Sequence, residues 1–285
     1  MIPATLLVVI DPTTEDQSAL RRAEQLAVDT GAQLHLFCCD YLEDISDYSS
    51  RKDAKHSTLS HNKAELEALA KPLRDEGIRV TTEACWNDNW QESAIHAASR
   101  LGASLILKSS ALYDGKTDKR HLAEVHLLRK SGCGVLLVRD PGPWVQQRIL
   151  AAITPDNDNS GHGLLNNQII AQAHRLAQAT QSTVHCVTAP DSPLKMHEIF
   201  LLLEDDPLDL STNEELISSR FGIAPERVHI FPGNPKEAIV RAAEELRADV
   251  LIIGTIARDG LKAALIGNTA EKILNHVDTD ILVVN

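Results

Sequence analysis

The sequence predicts an α/β protein built from two copies of one domain, each with a parallel sheet covered by helices on both faces. Short apolar runs alternate with amphipathic helical patterns along the chain. Strands that are joined by helical crossovers lie parallel, with right-handed connections. The order of elements restarts after about 145 residues, which is too long for a solenoid repeat and is typical of a duplicated domain.

The first half begins with a strand that is buried on both faces. Leu6 to Ile10 is a continuous apolar run that ends at Asp11-Pro12. An amphipathic helix follows from about Gln17 to Thr30, and Gly31 ends it. The same criteria predict strands at 33–39, 78–85, 104–108 and 134–138, and helices at 57–76, 86–101 and 121–130.

The clearest break in the chain is Asp140-Pro-Gly-Pro143, which combines three turn-forming residues. We therefore expect a first domain at 1–140, a linker at 141–147 and a second domain at 148–285. Arg148 to Pro155 then repeats the pattern of Leu6 to Pro12. The elements that match after it are strands at 183–187, 227–231, 250–253 and 281–284, and helices at 168–179, 235–246 and 269–276.

The composition predicts a soluble protein of the cytoplasm. A net charge of -12 argues against binding to nucleic acid or to an anionic membrane. No apolar stretch approaches the roughly 18 residues of a membrane span, and no basic segment precedes the first apolar run. The five cysteines form no C-x-x-C pair, as expected of thiols in a reducing compartment, and adjacent Cys38 and Cys39 point to opposite faces of their strand.

A candidate ligand site follows the apolar strand that ends at Ile253. A loop with three glycines leads from there to a helix that begins near Thr269. The unpaired N–H groups of a helix N-terminus attract phosphate, and glycine lets the backbone approach it. The alternative is that the glycines only turn the chain and that Asn268 or Thr269 only caps the helix. The expected ligand-binding residues are Gly254, Thr255, Ala257, Gly260, Gly267, Asn268 and Thr269.

Neither a catalytic centre nor a metal site is predicted. The chain contains no G-x-S-x-G motif, so it offers no nucleophile of that kind. Its twelve histidines include His56, His61, His121 and His126, but none forms H-E-x-x-H or a spaced Cys/His set. We expect His56 and His61, in the polar loop and helix start after the second strand, to be solvated.

Three stretches of the sequence resemble the universal stress protein family. They are the opening Val8-Val-Ile-Asp-Pro12, the strand Ala248-Asp-Val-Leu-Ile-Ile-Gly-Thr255 and the ending Gly267-Asn-Thr-Ala-Glu271. The duplication is similar to the tandem-domain branch of that family. The resemblance implies two flavodoxin-like, Rossmann-like domains of the adenine nucleotide alpha hydrolase type. Each has five parallel strands in the order 3-2-1-4-5 and a ligand crevice where that order reverses. Because apolar edge strands are normally covered, we expect the two fifth strands to pair with one another.

The resemblance also implies which positions of the second domain would hold a nucleotide. In ATP-binding members, an acidic residue closes the first strand and a loop of pattern G-x2-G-x9-G-(S/T) holds the phosphates. Gly254 and Gly267 match the first and last glycines of this loop. Ala257 stands in place of the second glycine, and Asn268 stands in place of the Ser/Thr. Thr154, which precedes Pro155, stands in place of the acidic residue. The second domain therefore keeps a phosphate loop but lacks the carboxylate at the adenosine end.

The first domain shows the opposite combination. Asp11 supplies the acidic residue, but His121 stands where the last glycine of the loop is expected. A structural alternative for Asp11 is an Asx turn that closes the strand before Pro12.

These observations predict a cytoplasmic stress-response protein that binds a small phosphate-bearing ligand, such as ATP, in the second domain without strong catalytic activity. One alternative is a structural or partner-binding protein with a degenerate pocket. A second is a weakly hydrolysing ATP-binding protein. No nucleic-acid or membrane partner is expected, and further pairing into a homodimer is left open.

Overall fold

The computed structural model describes residues 4–111, 119–154, 160–190, 213–255 and 273–285. Within these residues the chain forms two compact units, of which the first ends at Pro143 and the second begins at Trp144. Each unit is an α/β domain in which every strand pairing is parallel.

The first unit has five strands in the order β3-β2-β1-β4-β5. The central strand β1 is buried along its whole length, as the apolar sequence of 5–10 predicts. The strands are Thr5–Ile10 (β1), Gln33–Asp40 (β2), Val80–Trp86 (β3), Leu105–Ser109 (β4) and Gly134–Val138 (β5), and the helices are Ser18–Thr30 (α1), Arg51–Asp75 (α2), Trp90–Leu101 (α3) and Lys119–Lys130 (α4).

The second unit repeats this arrangement as β8-β7-β6-β9-β10. A short 3-10 helix at Pro225–Arg227 precedes β8. The strands are Arg148–Ala152 (β6), Thr183–Thr188 (β7), Val228–Ile230 (β8), Val250–Gly254 (β9) and Asp280–Val284 (β10), and the helices are Ser160–Thr180 (α5), Asn213–Phe221 (α6) and Pro235–Leu246 (α7). The predicted fold class and the order 3-2-1-4-5 are therefore confirmed in both units.

Helix starts differ more from the sequence-based expectation than strands do. α2 begins at Arg51 rather than at 57, because the Ser50 side chain accepts a hydrogen bond from the Asp53 amide and caps the helix. α5 begins at Ser160 rather than at 168. The first turns of both helices are mainly polar, so the apolar period appears only further along. α6 is a short helix that the apolar pattern does not predict.

The two units end equivalent helices with different residues. α1 ends at Gly31 (φ 70°) and α3 at Gly102 (φ 60°), both in the left-handed conformation that glycine adopts without strain. In the second unit, Gln181 (φ 54°) and Arg247 (φ 46°) take the same conformation. The second unit thus keeps the left-handed turn, although a residue other than glycine occupies it.

Two aspartates fix the entry into the second unit. Asp249 accepts hydrogen bonds from the amides of Val145, Gln146 and Arg148 at 2.9–3.1 Å. Asp280 is fully buried, and its Oδ2 accepts a 2.9 Å hydrogen bond from Trp144 Nε1. A buried carboxylate is tolerated only when it is hydrogen-bonded, so these contacts hold β6 in register with its neighbours.

Across the described parts of the chain, no helix combines the length and the apolar character that crossing a membrane requires.

The paired histidines of the second unit make stability depend on pH. Nδ1 of His185 lies 3.1 Å from Nε2 of His229. Burial and the neighbouring His229 lower the pKa of His185 to about 4, and burial also lowers the pKa of His229. The folded protein therefore resists protonation that the unfolded chain accepts below its ordinary pKa of about 6.5.

We predict that the free energy of unfolding falls as pH drops from about 6.5 towards 4, because the unfolded chain then binds protons that the folded pair excludes. Replacing both His185 and His229 by Gln should flatten this part of the pH dependence, measured by urea unfolding at several pH values. His96→Gln, at an exposed position, is the control and should leave the slope unchanged. An equal slope in the double variant and the wild type would contradict this assignment.

Candidate functional site

The first strand of each unit ends where the strand order reverses, and a side-chain amide holds that end. In the first unit, the buried Gln17 donates from Nε2 to Asp11 O (2.7 Å) and accepts from Asp11 N (3.3 Å). In the second unit, the buried Asn166 donates to Thr154 O (2.7 Å) and accepts from Thr154 N (3.0 Å). Asp11 and Thr154, the residues expected at the crevice, therefore occupy equivalent positions.

A cavity of about 410 Å³ lies beside this strand end in the first unit. Its volume is in the range of small-ligand pockets. One side is the end of β1 with the loop that follows, and the opposite side is one face of α2. The lining residues are Ile10, Asp11, Pro12, Thr13, Thr14, Glu15, Gln17, Cys38, Asn62, Glu65, Leu66, Ala68 and Leu69.

Asp11 takes part in a local turn as well as lining the cavity. Its Oδ1 accepts hydrogen bonds from Thr13 N (2.9 Å) and Thr13 Oγ1 (2.6 Å). This is the Asx turn that the Asp-Pro sequence suggests. The turn fixes the orientation of the carboxylate at the cavity wall, so the structural role and a ligand role are compatible.

The cavity is acidic. Asp11, Glu15 and Glu65 contribute carboxylates to its lining, and none of the lining residues is basic. Burial raises the pKa of the Cys38 thiol to about 12, with a smaller effect of the nearby Asp40 carboxylate. The thiol is therefore neutral at physiological pH. Like-charge repulsion disfavours a phosphate inside this cavity, whereas hydroxyl or amino groups that donate hydrogen bonds suit it.

In the second unit, a leucine side chain lies against the glycine at the end of β9. α5 begins at Ser160, and this longer helix brings the Leu165 side chain against Gly254. A methyl group on Gly254 would lie only 2.6 Å from Leu165 Cγ. Close packing by the chain's own leucine is thus a sufficient structural reason for glycine at 254.

Thr255 also makes internal contacts. It is 4% exposed, its amide donates to Val284 O at 2.9 Å, and its hydroxyl donates to Asn285 Oδ1 at 2.8 Å. In the first unit, Ser110 matches Thr255, and its Oγ donates to Glu124 Oε2 at 3.0 Å. Ser109 matches Gly254, and its Oγ accepts from Ala19 N at 3.0 Å. In both units the hydroxyl of the residue after the fourth strand is thus hydrogen-bonded within its own unit.

The structure describes only part of the predicted site. It brings Thr154 and Gly254 to the ends of neighbouring strands and places Asp11 at a cavity. The ligand-binding role of every predicted residue stays a prediction, and six of them lie outside the described residues: Pro155, Ala257, Gly260, Gly267, Asn268 and Thr269.

Sequence reasoning missed the contribution of α2 to the cavity. Asn62 is 1% exposed, and its Nδ2 donates to Asp40 Oδ2 at 3.3 Å. A buried amide within the apolar face of a helix is the signal that could have located this wall, because such a group needs a polar partner. Within the described residues, no group of three or more His, Cys, Asp or Glu is arranged to hold a metal ion.

Comparisons with known proteins agree on one family. The model of the universal stress protein family matches residues 4–139 and 147–285. Universal stress protein E of Escherichia coli (strain K12) is 30% identical over 98% of this chain and 93% of its own length. A crystal structure of a functionally unknown protein from Pseudomonas aeruginosa PAO1 matches with a TM-score of 0.75 and 32% identity, over 99% of this chain and 92% of that one. A universal stress protein from Archaeoglobus fulgidus DSM 4304 has the same fold, with a TM-score of 0.71 and 16% identity over 100% and 99% of the two chains.

We predict that Gly254→Ala destabilises the protein by about 1–2 kcal/mol, because the new methyl displaces Leu165 from its packed position. Leu165→Ala should remove most of this cost, so that the two substitutions are strongly non-additive. Urea unfolding of the two single variants and the double variant measures the coupling. If Gly254→Ala lowers the free energy of unfolding equally in the wild-type and Leu165→Ala backgrounds, the contact with Leu165 does not explain the glycine at position 254.

Proposed function

This chain belongs to the universal stress protein family, and from that premise we propose that it is a stress-response protein that binds small ligands without strong catalytic activity. The observation that supports this proposal best is the cavity of about 410 Å³ beside Asp11. It lies at the end of the first strand, where the order of strands reverses and α/β proteins commonly bind ligands.

The chemistry of the cavity favours the nucleoside end of a nucleotide. Leu66 and Leu69 give an apolar wall for a base, while Asp11, Asn62 and Glu65 can accept hydrogen bonds from sugar hydroxyls or amino groups. Because none of the lining residues is basic, we expect the phosphate of such a ligand to lie outside the cavity. ATP is the phosphate-bearing ligand that the family resemblance suggests, and adenosine is the part of it that fits here.

A phosphate-bearing ligand in the second unit stays a separate proposal. It rests on the loop that leads from Gly254 to Gly267, Asn268 and Thr269 in the sequence. Contact of a phosphate with Gly254 itself requires the Leu165 side chain to move, because that side chain occupies the space above the glycine.

Binding rather than catalysis is proposed because the cavity supplies no activated nucleophile. Thiol reactivity depends on the thiolate, and the pKa of Cys38 is raised to about 12. The Thr13 hydroxyl donates to Asp11, but this contact belongs to the turn that follows β1, so we assign the lining carboxylates to orienting a ligand. A protein that recognises a partner through a degenerate pocket, and a slow ATP hydrolase, are the competing possibilities.

We expect adenosine to bind the wild-type chain, and Leu69→Trp to weaken that binding at least about tenfold by filling the cavity. Asp11→Asn keeps an acceptor for the turn at Thr13 but loses the charge, so it should weaken binding by a similar factor. Isothermal titration calorimetry measures both effects. Val28→Trp, at a position that is 68% exposed on α1, is the bulk-matched control and should bind normally.

Normal adenosine binding by both cavity variants would place the ligand elsewhere. The absence of adenosine and ATP binding by the wild type would contradict the proposed function and favour the partner-binding alternative. Conversion of ATP to ADP at enzymatic rates, lost in Asp11→Asn, would favour the hydrolase.

For the second unit, we predict that Gly267→Glu abolishes the thermal stabilisation produced by inorganic triphosphate, because the added carboxylate repels the anion. Gly132→Glu places the same charge in an open loop of the first unit, so this control should keep the stabilisation. Differential scanning fluorimetry measures both. An equal shift in wild type and Gly267→Glu would exclude the second-unit loop as the phosphate site.

The pairing of the two fifth strands and association into a homodimer also remain proposals. Sedimentation equilibrium of the full chain would establish how many copies assemble.

A further inference from the structure

Two cysteines of the first unit lie directly opposite one another. Cys39 of β2 is the register partner of Cys85 of β3. Neighbouring strands lie about 4.8 Å apart, which is within the range of about 4.4–6.8 Å that the Cα atoms of a disulfide span. Partners in a parallel pair project from the same face of the sheet, so these thiols face each other without any change in the backbone.

The pair has polar neighbours, and it is open to solvent on the Cys85 side. Cys39 is 9% exposed, and its Sγ lies 3.5 Å from Asn87 O at the end of β3. Cys85 is part-exposed, and β3 is the outermost strand of this unit. Ser93, in α3, lies beside both thiols.

The interaction between Cys39 and Cys85 shifts the pKa values of the two thiols in opposite directions. A hydrogen bond with Cys85 is the largest effect on Cys39 and lowers its pKa, whereas burial acts in the opposite direction. Ser93 and the backbone of Asn87 add to the lowering. The same hydrogen bond, followed by burial, raises the pKa of Cys85. Burial raises the pKa values of Cys38, Cys133 and Cys186. Cys39 is the cysteine whose pKa is lowered, so we assign it as the attacking thiol and Cys85 as its partner.

We propose that Cys39 and Cys85 are a redox site that forms a reversible disulfide when hydrogen peroxide or a small hydroperoxide reaches it. The Cys39 thiolate attacks one peroxide oxygen, the O–O bond breaks and hydroxide leaves, which gives a sulfenic acid. The Cys85 sulfur then attacks Cys39 Sγ, the S–O bond breaks and a second hydroxide leaves. With the protons of both thiols, one peroxide is reduced to two waters while two thiols are oxidised to one disulfide.

The redox site is distinct from the ligand cavity. Cys38 lines the cavity, and the adjacent Cys39 points to the opposite face of β2. The disulfide would join the carboxyl ends of β2 and β3 and close a loop that contains the whole of α2. Such a link restricts the unfolded chain, so the oxidised protein is expected to be more stable than the reduced one.

The test treats the reduced full-length chain with hydrogen peroxide, alkylates the remaining thiols under denaturing conditions and maps the peptides by mass spectrometry. The expected result is a cross-linked peptide that contains Cys39 and Cys85, the loss of two alkylation sites, and full reversal by dithiothreitol. The oxidised protein should also unfold at a higher temperature. Cys39→Ser and Cys85→Ser should lose both effects, while Cys38→Ser, one residue away on the opposite face, is the matched control and should keep them.

A wild-type chain that gives sulfinic acid at Cys39 without the cross-link would overturn the proposal. So would a disulfide between Cys38 and Cys39, or a cross-link of unchanged yield in which Cys133 or Cys186 replaces Cys85. Because the cross-link is mapped in the wild type, the result does not depend on the folding of any variant.

Discussion

Each unit depends on how the end of its buried central strand is satisfied. A strand covered on both faces must find partners for its last backbone groups away from water. The side-chain amide of Gln17 does this for the first unit, and that of Asn166 does it for the second. This interaction holds Asp11 and Thr154 at equivalent places, where the strand order reverses in each unit.

The two crevices then differ through the element that follows the strand. In the first unit a loop precedes Ser18 and leaves a cavity bounded by α2. In the second, α5 starts at Ser160 and carries Leu165 onto Gly254. The two units thus share the strand end, while the first has an open, acidic cavity beside it and the second has Leu165 against Gly254. The same first unit also brings Cys39 and Cys85 together on the far face of its sheet, so that two chemically separate sites share one strand.

The sequence predicts the fold well and the sites only in part. The apolar runs of β1 and β9 are unambiguous, because a strand buried on both faces needs an unbroken apolar sequence. The start of α2 at Arg51 cannot be read from the apolar pattern, because the first turns of this helix are polar and its start is fixed by the Ser50 cap. Asp11 can be located from its place after a strand, but Asn62 and Leu165 reach their crevices through tertiary packing. The alternation of Cys38 and Cys39 can be predicted, whereas the partner of Cys39 depends on the register between β2 and β3.

The central claim is that a nucleoside enters the first unit beside Asp11, and leucine methyl NMR of the full chain titrated with adenosine tests it most directly. If adenosine binds there, the methyl signals of Leu66 and Leu69, which line the cavity, shift as adenosine is added. The signals of Leu165, packed on Gly254 in the other unit, should stay in place. Shifts at Leu165 with none at Leu66 and Leu69 would contradict the account and move the ligand to the second unit.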